Sequence, residues 1–265
     1  QCDIVIVALY PKAAIEYVQA HADLIKPGAI VVDCCGVKKI VCDALIPLAE
    51  EKGFLFVGGH PMAGSEKTGY ESSTDHLLEN AYYIITPTPH TPASYTDRMV
   101  DVANAIGALP LVLDYHRHDF IVAAISHLPH LIASSLVNLV HDCDSEDQMM
   151  KRLAAGGFKD ITRIASSSPV MWQQICLTNR DNILTLLDHY MEALSEIRTE
   201  IADADGERTG FAWLQSGAVL IRGTTAHGCA GVNVFADGVL FKAFRRNDGH
   251  RSAGHVFLIN AAADT

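Results

Sequence analysis

The chain has 265 residues, of which 49% are hydrophobic and 19% charged, a balance typical of a globular protein with a substantial core. A formal net charge of −11 argues against nucleic acid as a partner, because binding to a phosphate backbone needs clustered Lys and Arg. Seven cysteines without a CxxC pair favour neither a disulfide framework nor a cysteine zinc site, so we expect a reduced, cytoplasmic protein.

Residues 1–115 alternate between apolar runs and helical patterns. Runs rich in Val and Ile predict strands at "CDIVIVALYP", "GAIVVDCCG", "FLFVGGHP", "AYYIITPT" and "LPLVLD". Helices are predicted over "KAAIEYVQAHADLI", "KKIVCDALIPLAEEKG" and "ASYTDRMVDVANAIG". Near-continuous apolar strands are typical of strands buried on both faces, so we predict an α/β domain with a mainly parallel sheet and helical crossovers.

From residue 116 the pattern becomes helical. The stretch "DFIVAAISHLPHLIASSLVNLVHD" is apolar almost all round, which predicts a helix buried in a bundle or an interface. Helical patterns continue to residue 205, so we predict an all-helical domain over 116–205. Residues 206–265 hold short apolar runs that predict strands or irregular structure without an assigned function. We expect no leader peptide and no membrane span, since no apolar run approaches the thickness of a bilayer.

A histidine follows two glycines at the end of a predicted strand, in "FLFVGGHPMAGSEKTGYE". The carboxyl ends of parallel strands are where an α/β sheet presents its functional groups. The neutral imidazole of His60 can accept a proton near pH 7. The glycines before it permit close backbone approach, and the small residues after it leave room for a ligand. This pattern favours a catalytic base; the alternative is a histidine that merely caps a loop.

Polar side chains interrupt the apolar helix. Asp119, Ala123, Ser126 and His130 are spaced by four, three and four residues, so we predict that they share one helical face. Buried polar groups need partners, either internal ones or a bound ligand. We do not expect a metal, because the two histidines of "SHLPH" lack a carboxylate at the HExxH spacing.

Two cations stand four residues apart in "GGFKDITRIA". Lys159 and Arg163 would share one helical face, and Arg163 can grip a carboxylate through two parallel hydrogen bonds. The alternative is an ordinary surface salt bridge between Arg163 and Asp160. Together with the histidine and the polar stripe, these cations describe a cleft between sheet and bundle with one base and a carboxylate clamp.

Three blocks in this sequence resemble the signature blocks of the prephenate and arogenate dehydrogenases of tyrosine biosynthesis. They are "GGHPMAGSEKTG", "HDFIVAAISHLPH" and "GGFKDITRIASSSPVMW", in family order and at family spacing. The resemblance covers roughly residues 1–205. It implies a partial Rossmann domain that binds NAD, with NADP left open, over residues 1–115. It also implies a homodimer formed by the helical domain, a small-molecule substrate, and neither nucleic acid nor membrane as a partner.

The implied reaction is the oxidative decarboxylation of prephenate to 4-hydroxyphenylpyruvate, with a hydride passing to the cofactor. His60 corresponds to the family's catalytic histidine, which accepts the proton of the ring hydroxyl. The resemblance implies that the substrate is bound by Arg163, Ser126, His130, Lys159 and Trp172. It implies a gating ion pair between Glu66 and Asp160. It implies cofactor contacts at Leu9, Pro11, Gly36 and Val37.

The chain departs from the family pattern in three places. Gly36 stands about where many members have a Ser that helps orient the histidine. No GxGxxG spacing occurs, so we expect that the pyrophosphate-binding turn and roughly 60 residues of the first nucleotide-binding half are missing. Residues after Asp205 resemble neither the family's closing helix nor its regulatory domain. Two alternatives stay open: arogenate as the substrate, or a non-catalytic dimerising or ligand-binding fragment that cannot hold the cofactor.

Overall fold

The computed structural model describes residues 2–64, 73–88 and 90–203, together with the backbone of four later strands between residues 221 and 260. The chain forms two compact units, residues 1–189 and residues 190–265. The residues predicted to carry chemistry lie in the first unit, which is described first.

Five strands of the first unit form one sheet, in the order β1-β2-β3-β4-β5. They are β1 (Ile4–Val7), β2 (Ile30–Asp33), β3 (Leu55–Pro61), β4 (Tyr82–Thr86) and β5 (Leu109–Val112). The strands β1, β2 and β3 run parallel, β4 is antiparallel to β3, and β5 is parallel to β4. The predicted mainly parallel sheet is confirmed. The one antiparallel pair in this sheet is β3 with β4, and the sequence predicts no helix between these two strands. Parallel neighbours need a long crossover connection, so two strands without one are expected to run antiparallel.

Helices pack on both faces of this sheet. They are α1 (Pro11–His21), α2 (Lys39–Lys52) and α3 (Ala93–Ala105). One core joins α1 and α2 to Val31 of β2, and a second core joins α3 to Ile30 and Val32 of the same strand. Successive side chains of a strand point to opposite faces, so β2 is buried on both. This burial explains its unbroken apolar run and confirms the predicted α/β architecture.

The chain after β5 is helical as far as residue 202. The first three helical elements are α4 (Tyr115–Val122), a π-helical turn (Ala123–His127) and α5 (Leu128–Cys143), which follow one another without a break. They are followed by α6 (Met149–Leu153), α7 (Gly156–Thr162), a 3-10 turn (Arg163–Ala165), α8 (Pro169–Thr178) and α9 (Arg180–Ala202). Asp114 begins α4 by accepting hydrogen bonds from the backbone N–H groups of His116 and Arg117. The predicted helical region is confirmed.

The continuous helix Tyr115–Cys143 is long and apolar enough, by length and composition alone, to cross a membrane. An 18-residue stretch of this helix has a mean hydropathy of 1.7, and 28% of that stretch is buried inside the chain. This corrects the prediction that no apolar run approaches the thickness of a bilayer: histidines and serines interrupt the run, but its average stays apolar. Much of its apolar surface is uncovered, since Ile125 and Leu139 are 61% and 58% exposed.

The second unit contains a four-stranded antiparallel sheet in the order β6-β7-β8-β9. Its strands are β6 (Ile221–Thr224), β7 (Ala230–Ala236), β8 (Val239–Phe244) and β9 (Ile259–Asn260). The short apolar runs of the tail therefore form strands over these ranges, which is one of the two outcomes that the sequence predicts.

Candidate active site

His60 lies near the end of β3, beyond the last residue that pairs with β2. The two glycines before it are required by packing. A Cβ atom added to Gly58 would lie 2.1 Å from Thr86 Oγ1, and one added to Gly59 would lie 2.6 Å from the carbonyl oxygen of Asp33. Both distances are far below van der Waals contact, so only glycine lets the neighbouring segments close on β3 at this end of the sheet.

A buried ion pair fixes the same strand end. The side chains of Asp33 and Lys38 are fully buried, and Lys38 Nζ contacts Asp33 Oδ2. Lys38 Nζ also donates to the carbonyl oxygen of Gly59, whose N–H donates to Asp33 Oδ1 at 3.1 Å. The N–H of Cys35 donates to Asp33 Oδ2 at 3.0 Å. Both charges therefore have partners, as buried charges require, and both backbone groups of Gly59 are held beside His60.

A row of two hydrogen bonds runs from His60 through His118 to Asp119, the latter two both on helix α4. Nδ1 of His60 lies 2.8 Å from Nε2 of His118, and Nδ1 of His118 lies 2.8 Å from Oδ1 of Asp119. Asp119 also accepts from the backbone N–H groups of Lys38 and Lys39, at 2.7 and 2.8 Å. These groups begin α2, where the helix dipole favours a carboxylate. His118 and Asp119 are buried, so water does not compete for this row of hydrogen bonds.

The imidazole of His60 is held in its neutral form. Burial, with smaller repulsions from His118, Lys38 and His127, lowers the pKa of His60 to about 3. A neutral ring keeps one nitrogen lone pair available near pH 7, which a proton acceptor needs.

We expect the free energy of unfolding to decrease as the pH falls from about 7 towards 4. Burial lowers the pKa of His127 to about 4, whereas a histidine in the unfolded chain titrates near about 6.5. Between these values the unfolded chain binds more protons, so each pH unit costs roughly 1 kcal/mol of stability for such a histidine. Denaturant unfolding between about pH 7 and pH 5 should show a shallower pH dependence for His127→Asn than for the parent. Identical slopes would exclude a neutral buried His127.

The π-helical turn decides which side chains of the long helix point inward. The N–H of Leu128 donates to the carbonyl oxygen of Ala123, one residue further back than in an α-helix. This wider turn shifts the register, so that His127 is buried and Ser126 is exposed. The predicted polar stripe is corrected at this position, and its buried members are Asp119, Ala123, His127 and His130.

Two histidines of this helix contact Trp172 of α8. The His130 ring stacks on the indole with centroids 3.4 Å apart, and the His127 ring approaches it edge-on at 6.0 Å. Burial lowers the pKa of His130, although a hydrogen bond with the Ile164 backbone opposes this shift. Within the part of the chain that the structure describes, Nδ1 of His130 and Nε1 of Trp172 are buried without hydrogen-bond partners. Buried polar atoms are rarely left unpaired, so these two atoms indicate a place for a polar ligand or water.

The cations predicted to bind a carboxylate, Lys159 and Arg163, lie in the chain between His130 and Trp172. Arg163 begins the 3-10 turn that packs against α5, the helix that carries His130. Arg163, Lys159 and Asp160 are exposed. Glu66, the predicted partner of Asp160, falls outside the described residues.

The residues predicted to contact a cofactor follow β1 and β2. Leu9 is 44% exposed, whereas Pro11 and Val37 are buried, so their side chains pack in the core. A Cβ atom added to Gly36 would lie 3.7 Å from Nε2 of His60. Gly36 therefore lies against the edge of the imidazole that faces away from His118.

Sequence reasoning does not single out Asp33, Lys38, His118 or His127 as members of this site. A signal is present for the first two, because a charged residue ends a strand that is otherwise apolar and a lysine precedes the next helix, at the carboxyl end of the sheet. The pairing of His118 with Asp119 has only sequence adjacency to indicate it. The inward position of His127 depends on the π-helical turn, which the helical spacing does not predict.

Two family models match this chain. Residues 1–111 match the model described as "Prephenate dehydrogenase, nucleotide-binding domain", and residues 114–215 match "Prephenate dehydrogenase, dimerization domain". Together they cover both the sheet with its helices and most of the helical region.

Individual relatives agree with these matches. The prephenate dehydrogenase of Bacillus subtilis is 42% identical over 154 residues, which are 58% of this chain and 42% of that protein. The chain likewise covers 57% of the prephenate dehydrogenase of Lactococcus lactis, so it spans about half the length of these two relatives. The cyclohexadienyl dehydrogenase of Zymomonas mobilis is 33% identical over 78% of this chain and 70% of its own length.

A solved structure shares the fold as well. The crystal structure of A. aeolicus prephenate dehydrogenase in complex with hydroxyphenyl propionate and NAD+ is 32% identical, with a TM-score of 0.72. The match covers 78% of this chain and 72% of that one. Sequence blocks, domain matches and fold agree, and the chain belongs to the prephenate dehydrogenase family.

Proposed function

We propose that this chain catalyses the NAD-dependent oxidative decarboxylation of prephenate to 4-hydroxyphenylpyruvate, a step of tyrosine biosynthesis. The observation that carries the proposal is the position of the His60 imidazole. It lies at the carboxyl end of the sheet, its Nδ1 is bonded to His118, and its opposite edge lies against Gly36, which has no side chain. Such a ring can accept a proton at Nε2 from a hydroxyl group placed beside it.

In the proposed reaction His60 Nε2 takes the proton of the ring hydroxyl as the carbon–oxygen single bond becomes a carbonyl. The hydrogen on the same carbon leaves as a hydride. The bond to the ring carboxylate then breaks and carbon dioxide departs. The bonding electrons complete the aromatic ring as the carbonyl oxygen takes back the proton held by His60 Nε2 and becomes the phenol hydroxyl. Aromatisation makes the sequence effectively irreversible. The burial that lowers the pKa of His60 keeps the ring unprotonated before the reaction begins.

The residues present fit the nicotinamide end of NAD, which when bound supplies the hydride acceptor. The fit rests on the carboxyl ends of β1 and β2, where dinucleotide-binding sheets hold their cofactor. Leu9 and Tyr10 are exposed there, at 44% and 47%. Gly36 leaves the space next to His60 Nε2 free of a side chain. We propose that backbone groups of Pro11 and Val37 complete these contacts, since their side chains are buried.

We propose that Arg163 binds a substrate carboxylate, with Lys159, Ser126, His130 and Trp172 around it. The unpaired Nδ1 of His130 and Nε1 of Trp172 support this placement, because a polar substrate would satisfy them. The gating pair of Glu66 and Asp160 also belongs to this proposal.

Replacing Arg163 with Met should raise KM for prephenate by roughly 30-fold, about 2 kcal/mol, with a smaller change in kcat. A carboxylate that loses a two-point hydrogen-bonding partner binds less tightly in both the ground state and the transition state. Steady-state kinetics measures the effect, and Arg152→Met, which alters another exposed arginine on α6, serves as the control. Unchanged KM in Arg163→Met would remove this residue from the substrate site.

The activity itself is tested with the full gene product, including whatever its reading frame encodes on either side. We expect one NADH and one carbon dioxide for each prephenate consumed, measured by absorbance and by release of labelled carboxylate. Faster turnover of arogenate would reassign the substrate. Absence of turnover with both compounds, in protein that is folded, would support the non-catalytic alternative.

We further propose a cytoplasmic homodimer formed through the continuous helix Tyr115–Cys143, without membrane or nucleic acid as a partner. The match to a dimerization domain and the exposed apolar residues support a second copy as the occupant of this surface. The buried side chains of His118, Asp119 and His127 also give this helix a polar inner face. A helix with such a face is better suited to packing against protein than to contact with lipid.

The substitution Leu139→Glu should therefore convert the dimer to a monomer, because a desolvated carboxylate would face apolar side chains across the interface. Sedimentation velocity distinguishes the two masses. The matched control is Leu24→Glu, at an 81% exposed position three residues after the end of α1, which should remain dimeric. A parent protein that is monomeric, or a Leu139→Glu protein that stays dimeric, would contradict this interface.

A further inference from the structure

The hydrogen bonds around His60 determine which of its nitrogens carries the proton. Both oxygens of Asp119 accept hydrogen bonds from backbone N–H groups, and Oδ1 also lies 2.8 Å from Nδ1 of His118. A carboxylate only accepts, so the proton between these atoms resides on Nδ1 of His118. When His118 carries only this proton, its Nε2 has a lone pair, which faces Nδ1 of His60 at 2.8 Å. The proton of this second bond belongs to Nδ1 of His60, and the lone pair of His60 is left on Nε2.

We propose that His118 and Asp119 are positioning residues that hold His60 as its Nδ1–H tautomer, with the Nε2 lone pair directed at the reacting hydroxyl. The proposal rests on the proposed function for the identity of that hydroxyl, but the tautomer itself does not depend on the substrate. His118 touches neither substrate nor cofactor in this scheme; it acts only through His60.

The surroundings of His60 give this role to His118 in particular. Gly36, the neighbour on the Nε2 side, has no side chain to hold the ring. Within residues 2–64, 73–88 and 90–203, the hydrogen bond to His118 is the one that the structure describes for the His60 ring. The two rings meet edge to face, with centroids 5.0 Å apart and planes at 76°. This contact fixes the rotation of the His60 ring as well as its proton.

The row is anchored at its far end by two separate elements. Asp119 is tied to the start of α2 through the N–H groups of Lys38 and Lys39. Its carbonyl oxygen accepts from Nδ2 of Asn179, at the end of α8, at 2.8 Å. The carboxylate therefore has little freedom to turn away from His118. A rigid acceptor at the end of the row is what keeps the proton order in one direction.

The direct test is the ¹⁵N nuclear magnetic resonance spectrum of the histidine side chains near neutral pH, in the parent protein without substrate. His60, assigned by its absence in His60→Asn, should show a protonated Nδ1 and an unprotonated Nε2. In Asp119→Asn the amide NH₂ can donate to Nδ1 of His118, which reverses both hydrogen bonds and should move the His60 proton to Nε2. A parent His60 protonated on Nε2, or a tautomer that is the same in Asp119→Asn, would overturn the proposal.

Kinetics supplies a second readout that a purely structural role would not produce. His118→Leu should lower kcat by roughly 100-fold or more with little change in KM. His118→Gln should recover part of that loss, because its amide oxygen can still accept from Nδ1 of His60 while its NH₂ group donates to Asp119. His116→Gln, an exposed histidine on the same helix, is the matched control and should behave like the parent. Equal kcat in His118→Leu and parent would overturn the positioning role.

The ¹⁵N spectrum and the kinetics together distinguish failure of this inference from failure of the proposed function. If the parent turned over neither prephenate nor arogenate, the spectrum would still decide the tautomer. If the parent were active with His60 in the opposite tautomer, the function would stand and the role of His118 would fall.

Discussion

Replacing His60 with Asn should lower kcat for prephenate by roughly a thousandfold while leaving substrate binding nearly intact. Asn is close to the imidazole in size and can still accept the hydrogen bond of a ring hydroxyl, but it cannot take up the proton. The lost interaction therefore belongs to the transition state and not to the ground state, so kcat falls and the dissociation constant stays the same. Steady-state kinetics and calorimetric titration with prephenate measure the two quantities separately.

The control for this prediction is His141→Asn, at a side chain that is 86% exposed on the last turn of α5. It should match the parent in both measurements. If His60→Asn retained the parent kcat, His60 would have no part in proton transfer. If it lost substrate binding and kcat together, the residue would act in binding and not as the base.

Replacing Lys38 with Met should lower the free energy of unfolding by roughly 3–5 kcal/mol. The Lys38 side chain is fully buried against Asp33, so the substitution would leave a buried carboxylate with only the N–H groups of Cys35 and Gly59 as partners. The same change removes the hydrogen bond from Lys38 Nζ to the Gly59 carbonyl oxygen, next to His60. Denaturant unfolding measures the loss directly.

The neighbouring residue provides the matched control. Lys39 also pairs with an aspartate, Asp43, but both side chains are about half exposed, at 53% and 44%. Exposed pairs contribute at most about 1 kcal/mol, so Lys39→Met should have a small effect. Equal losses in the two variants would mean that burial of the Asp33–Lys38 pair does not matter for stability. A Lys38→Met protein as stable as the parent would show that the buried Asp33–Lys38 ion pair does not stabilise the end of β3.

Apolar periodicity was sufficient to predict the sheet and its helices, because it reports burial. β2 reads as an unbroken apolar run, and it is buried on both faces between two cores. The antiparallel pairing of β3 with β4 is also consistent with the sequence, since no helical pattern separates these strands. The sequence pattern did not predict the high mean hydropathy of the helix Tyr115–Cys143, because polar residues interrupt its apolar run. Several of these polar residues lie on the buried face of the helix.

Side-chain pairing could not be predicted in the same way. The bonds from His60 to His118 and from Lys38 to Asp119 join residues 58 and 81 positions apart, so no local pattern encodes them. His127 is buried where α-helical spacing predicts Ser126, because the π-helical turn shifts the register by one residue. A regular helical spacing cannot predict this shift. The glycine pair before His60 could be noticed, but its cause is contact with Thr86 and Asp33.

The roles proposed for His60 and Arg163 are tested most directly by a crystal structure of the full gene product with NAD and 4-hydroxyphenylpyruvate. We predict that the phenolic oxygen lies within about 3.2 Å of Nε2 of His60, with Nδ1 still bonded to His118. We also predict that Arg163, from either subunit, contacts the carboxylate of the same molecule. A product whose hydroxyl is bound away from His60, or whose carboxylate is held without Arg163, would contradict these roles.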